Sequence, residues 1–436
     1  MTTSETENIP DYDKKKVVSW ALYDWGNSAF ATTVMAGFFP IFFKQYWSAG
    51  SSAVESTFRL GAANSIASLI IVVVAPLLGA IADKGNAKKR FLLFFAFMGI
   101  LMTGALFFVK EGNWVVASLI YVLGIIGFSG SIVFYDSLLV FVVGPKKVDF
   151  VSALGFALGY LGGGLLFGFN VFMTQNPEVF GLSGPAEAIR YSFISVALWW
   201  AIFSIPVMVF VEENQERRKP LKLNMIRKGF SQLVHTFDEI RKLKLVFTFL
   251  LGYWLYIDGV DTIVRMAVDY GLAIGFKAEG LVLALLITQL VGFPSAIAFG
   301  KIGEKLGPKA GIFIGIGVYI IITIWAYFIS REIEFYMLAA GIGLVQGGVQ
   351  SLSRSLYARI IPKNKSAEFF GFYNMLGKFA AVIGPVFMGW VGVVSGNSRA
   401  GILSLIVLFV AGAIFLARVD VEEGIRIAKE LEQFHK

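Results

Sequence analysis

Apolar runs of about 20 residues recur along nearly the whole chain, each closed by a short charged or turn-rich break, and about twelve fit between positions 18 and 417. That pattern predicts an all-α polytopic membrane protein. The longest polar stretch, 212–244, stands at the midpoint. It divides the chain into a cytoplasmic tail (1–17), a six-helix bundle (18–211), a linker (212–244), a second six-helix bundle (245–417) and a second cytoplasmic tail (418–436). In the linker, LNMIRKGFSQLVHTFDEIRKL has the spacing of an amphipathic helix lying on the inner leaflet. The two halves share a repeat: GAIADKGNAKKR, Gly79 to Arg90, aligns with GKIGEKLGPKAG, Gly300 to Gly311, keeping Gly, Ile and two Lys and exchanging Asp83 for Glu304. Related halves predict a substrate site at their interface near the bilayer midplane.

Polar residues inside the apolar runs carry the chemistry. In FLLGYWLYIDGVDTIVRMAVDY, Phe249 to Tyr270, Asp258, Asp261 and Arg265 fall at i, i+3 and i+7 on one helical face. An ionisable group at membrane depth costs roughly 2.5 to 3.5 kcal/mol on insertion scales, so these three are expected to face water or a partner. Two acids beside one base leave an excess acid. This group is therefore the expected proton-coupling site, with Asp258 favoured for its depth; an ordinary structural ion pair is the alternative. Nearer the inside, Asp24 and Asp136 of the first half stand opposite Arg354 and Lys378 of the second. Bridges between them would close the cytoplasmic side, the alternative being pairing within each half. Asn27, Trp254, Gln346, Gln350 and Asn374 are the candidates for lining a substrate cavity, or for hydrogen bonds between helices. Gln346, Gln350 and Arg354 share a stripe at i, i+4 and i+8. The fifth run, SALGFALGYLGGGLLF, crowds five glycines from Gly155 to Gly164 and predicts close helix approach.

Composition narrows the class. The chain is 56% hydrophobic with 42 Phe and 47 Gly and a mean hydropathy of +0.71, far from the soluble average. Most of the 38 Lys and Arg fall on the side holding both termini, so the net charge of +8 reads as positive-inside orientation and not as a nucleic-acid footprint. Cysteine is absent, which excludes disulfides, a thiol nucleophile and a Cys-ligated metal. His235 and His435 are the two histidines, both outside the runs. With no metal-ligand cluster, phosphate-cradling loop or nucleophile and base set, an enzyme, a bound metal or cofactor and ATP-driven transport are not expected. The N-terminal run shows no cleavage pattern, so no cleaved signal peptide is expected.

The segments SWALYDWGNSAFATTV, SALGFALGYLGG, YIDGVDTI, QGGVQSLSRSLYARIIP and EFFGFYNMLGKFAAVIGP resemble the autophagy-related vacuole effluxer-like branch of the major facilitator superfamily, from about Ser19 to Pro385. The resemblance implies a twelve-helix fold of two pseudo-symmetric six-helix bundles, with the first, fourth, seventh and tenth spans around a central cavity. It also implies that the repeated loops, Gly79, Asp83 and Lys84 with Gly300, Glu304 and Lys305, hold the halves together in one state. Gly85 and Asn86 depart from the usual glycine position there, and asparagine tolerates the left-handed turn that glycine supplies. The implied activity is secondary transport of a small polar solute by alternating access, an amino acid or related zwitterion being favoured, coupled to protons or another ion. A lipid or lysolipid translocator of the same fold is the alternative. The expected setting is a monomer among membrane lipids in a bacterial inner membrane.

Overall fold

The computed structural model describes residues 13–213, 243–273 and 278–434, and among these every regular element is helical. Among the described residues twelve helices are long and apolar enough to cross a membrane. The first six are α1 (Lys14–Trp47), α2 (Ala53–Gly85), α3 (Lys88–Ala105), α4 (Trp114–Val142), α5 (Val148–Gln175) and α6 (Pro185–Phe210). The second six are α7 (Lys244–Ala273), α8 (Ala278–Leu306), α9 (Pro308–Phe328), α10 (Glu332–Ile360), α11 (Ser366–Ser395) and α12 (Ser398–Ala417). A shorter helix, α13 (Val421–Phe434), packs on the end of α10. The expected amphipathic linker helix and both histidines fall outside the described residues.

Helix ends follow from local chemistry. The Asp13 carboxylate accepts from the backbone N–H groups of Lys15 and Lys16, and the Ser52 hydroxyl from that of Glu55, satisfying donors that a helix start leaves free. In the two related loops, α2 ends at Asn86 with φ 47°, and α8 is followed by Gly307 with φ 85°, at the matching repeat position. Asparagine therefore does make the left-handed turn in the first copy. Inside α1, ordinary α geometry over Lys14–Ala29 gives way to π turns over Phe30–Phe38 and Phe43–Trp47.

The halves meet along two main seams, α2 against α11 and α5 against α8, with α5 also touching α10 and α4 touching α11. Small residues set the separation. Gly79 lies directly against the Ala367 carbonyl, and a Cβ on Gly371 would stand 2.6 Å from the Pro76 Cα. The glycines of α5 divide their duty as the crowding predicted: Gly162 and Gly163 let the α1 backbone approach, while Gly164 faces Gln289 of α8. Outward faces are apolar, as with Phe94, Phe97 and Leu101 of α3.

Candidate functional site

A cavity of about 340 Å³ lies between the halves. The first half lines it with Asp24, Asn27, Ser28 and Thr32 of α1, Ser129 and Asp136 of α4, and Tyr160 of α5. The second contributes Asp261 of α7, Gln289 of α8, Gln346, Gln350 and Arg354 of α10, and Asn374 and Lys378 of α11. The stripe of Gln346, Gln350 and Arg354 faces this space as its spacing implied, because positions four apart stay on one side of a helix.

Arg354 and Asp136 form the pair expected between the halves, Nη1 to Oδ1 at 2.9 Å, with Arg354 only 3% exposed. The other two nitrogens of Arg354 donate as well: Nε to the Ser152 hydroxyl at 2.9 Å and Nη2 to the Ser152 carbonyl at 2.7 Å. Rings of Trp20, Tyr135 and Phe156 surround its guanidinium. Asn374, a cavity candidate by sequence, joins this closure by donating to Asp136 Oδ2 at 3.2 Å. Asp24 has a different surrounding. It accepts from Ser28 Oγ at 3.3 Å and from Tyr135 OH at 3.4 Å, and among the described residues it makes no salt bridge.

Closure continues toward the end of the bundle that carries Lys88, Lys147, Arg359 and Lys363, here called the basic end. Asp83 accepts from the N–H groups of Ala367 and Glu368 at 3.2 and 2.8 Å, capping the start of α11 from across the seam, and pairs with Lys88 at 2.6 Å. Its repeat counterpart Glu304 pairs with Lys147 at 3.0 Å near the surface. Gly300 brings α8 onto Ala153, where a Cβ would sit 2.7 Å from the alanine methyl, while Lys305 points outward. The Lys84 side chain lies outside the described residues. Sequence reasoning missed the pair of Arg359 with the buried Asp149, at 2.6 Å. An acid opening the fifth run and a base closing the tenth were its only signal.

The proton-coupling candidates separate. Asp261 lines the cavity, whereas Asp258, 2% exposed, is turned away from it: its Oδ1 accepts from the Gly384 N–H at 2.9 Å and from Thr262 Oγ1 at 3.4 Å. Three residues are about 300° of helix rotation, so the two acids are some 60° apart, enough to place Asp258 in the seam with α11. The Arg265 side chain lies outside the described residues. Trp254 does not line the cavity either; its indole N–H is buried, without a hydrogen-bond partner among the described residues. Gln289 and Thr32, which sequence reasoning did not assign to the site, do line it, and Gln289 donates to Thr32 at 3.0 Å between the halves. Several lining residues also carry buried side-chain atoms with no hydrogen-bond partner among the described residues: both heteroatoms of Asn27, the Ser129 hydroxyl and Gln346 Oε1.

Comparison with known proteins agrees with this geometry. The MFS-type transporter YxiO of Bacillus subtilis (strain 168) is 38% identical over 419 residues, spanning 95% of this chain and 97% of its own. Autophagy-related protein 22 of Yarrowia lipolytica is 23% identical over 454 residues, with 84% of this chain and 76% of the relative covered. Among solved structures, the human organic anion transporter MFSD10 superposes with a TM-score of 0.72 at 15% identity, covering 93% of this chain and all of that one, which supports the fold. A family model described as vacuole effluxer Atg22 like matches residues 12–429, and the chain therefore belongs to that family of transporters, built on the major facilitator fold.

Proposed function

We propose that the protein is a secondary active transporter for a small polar solute with both hydrogen-bonding and charged groups, an amino acid or related zwitterion, moved by alternating access and coupled to protons. The observation that carries this reading is the polar lining that both halves present to one cavity: Asp24, Asn27, Ser28 and Thr32 from the first, and Gln289, Gln346, Gln350 and Lys378 from the second. Hydrogen-bonding groups from both halves around one cavity suit a polar solute that bonds to each half in turn. Lys378 of the second half adds a positive charge to the same lining. A lining with this many carboxylates and carboxamides suits a zwitterion better than a lipid tail.

The shut basic end gives the arrangement its direction. With Asp83, Asp136 and Asp149 engaged across the seams, solute exchanges with the opposite side; when those contacts part, it exchanges with the basic side. That side is read as the cytoplasm of a bacterial cell, with both termini there, a reading supported by the excess of Lys and Arg on it. Transport, and not catalysis, is the task.

Counterflow in proteoliposomes tests the reading. Vesicles preloaded with an unlabelled solute are challenged with labelled amino acids, peptides or lysolipids at trace concentration. Transient accumulation of a labelled amino acid is expected; accumulation of lysolipid alone would replace this reading with lipid translocation, and none for any probe would refute transport of these classes.

A further inference from the structure

We infer that Asp24 is the site that takes up and releases the coupled proton, an inference resting on the transport reading above. The count of charges around it leads there. Asp24, Asp136 and Arg354 form a group of two acids and one base, and each nitrogen of the base donates elsewhere: one to Asp136, two to Ser152. Asp136 has both oxygens occupied, by Arg354 and by Asn374. Asp24 is left 7% exposed with two hydroxyl donors at 3.3 and 3.4 Å, both long and both neutral. A third charge with so little exposure is poorly hydrated, and a bound proton makes the group neutral without a counter-ion.

The groups facing Asp24 from each neighbouring element agree with this assignment. From α4 come Tyr135 and Asp136, a hydroxyl donor and a like charge. From α5 comes Tyr160, and Gly159 stands so close that a Cβ there would lie 3.3 Å from Asp24 Oδ1, leaving no room for a further side chain. From α6 come the rings of Trp199, Trp200 and Phe203, which pack along the α1 backbone and bring no charge. Across the cavity stand Arg354 of α10, Asp261 of α7 and Lys378 of α11.

Protonation at this point is tied to the shape of the protein. Asp24 and Asp136 both belong to the first half and Arg354 to the second, so the group is complete only while the basic end is shut. Opening that end withdraws Arg354 with α10, which by itself favours the bound proton, but it also admits water to the carboxyl groups; hydration of the carboxylate is the larger effect, and the proton on Asp24 then leaves to the basic side. Asp24 thus binds its proton with the opposite side accessible and surrenders it with the basic side accessible, which is the order that coupling requires.

The test reads the proton directly. Infrared spectra of the purified protein at neutral pH report protonated carboxyl groups through their carbonyl band. Asp24→Asn is expected to remove one carboxylic acid's intensity. Asp136→Asn removes the same, because the remaining acid then balances Arg354. The assignment to Asp24 comes from Asp24→Glu, which shifts that component in frequency, while Asp136→Glu leaves it in place. Unchanged intensity in Asp24→Asn, or a shift produced by Asp136→Glu and not by Asp24→Glu, overturns the proposal. No solute enters the measurement, so failed counterflow counts against the transport reading alone and the infrared outcome against the proton site alone.

Discussion

Replacing Arg354 by glutamine should open the basic end. Asp136 would keep its burial and lose its counter-ion, and breaking one side of a buried pair costs about 3 to 5 kcal/mol. In the parted state water reaches Asp136 and most of that cost disappears, so the penalty falls on the shut state. At 1.4 kcal/mol per tenfold, the ratio of open to shut molecules should rise by about two to three and a half orders of magnitude. The chain has no cysteine, so one introduced thiol reports without background. Ser351→Cys is close to isosteric and fully buried where α10 meets Ser152, whose hydroxyl donates to the Ser351 carbonyl at 2.7 Å. Alkylation of that thiol by a water-soluble maleimide should speed up by the same factor until opening saturates. The charge swap, Asp136→Arg with Arg354→Asp, should recover part of the closure. A labelling rate within twofold of the parent in Arg354→Gln would refute the reasoning.

Other substitutions probe neighbouring contacts. Gly371→Ala forces a methyl to within 2.6 Å of the Pro76 Cα, an overpacking cost of about 1 to 3 kcal/mol levied only when the halves close, so the same thiol should label roughly ten- to a hundredfold faster. The repeated loops should differ in weight: Asp83→Ala loses a cap across the seam worth about 0.5 to 2 kcal/mol, whereas Glu304→Gln loses a surface pair worth about 0 to 1 kcal/mol. Equal labelling in those two variants would contradict the assignment. Because Asp258 serves α11 as a hydrogen-bond acceptor, Asp258→Asn should keep thermal stability within about 1 kcal/mol, while Asp258→Val strands the Gly384 N–H and costs about 1 to 3 kcal/mol. Asparagine proving as harmful as valine in a melting experiment would sink that role.

The spans and the charged lining between the halves were legible in the sequence because both rest on strong local costs. A charge inside an apolar run has few tolerable places, and Asp136, Arg354 and Lys378 occupy the one their spacing pointed to. The same reasoning misplaced Asp258, since a helical face 60° wide separates a cavity from a seam and periodicity does not resolve that difference. Gln289 and Thr32 went unassigned because a lone amide or hydroxyl in a membrane helix costs little and fits many surroundings. Asn374 shows the converse: its depth was readable, but its hydrogen bond to Asp136 depends on how α4 and α11 cross.

The π turns of α1 separate its two ends in phase. Each such turn absorbs an extra residue, and one residue corresponds to about 100° of rotation. The stretch bearing Asp24, Asn27 and Ser28 consequently looks toward the partner half, while Phe39 stacks on Tyr121 with ring centroids 3.6 Å apart and the Trp47 indole donates to the Val109 carbonyl at 3.2 Å, within its own half. Shortening Phe30–Phe38 by a single residue would leave a span of adequate length and unchanged character, yet swing that aromatic wedge out of its socket. The outer part of α1 is thereby keyed to α4, and must travel with it whenever the bundles rock.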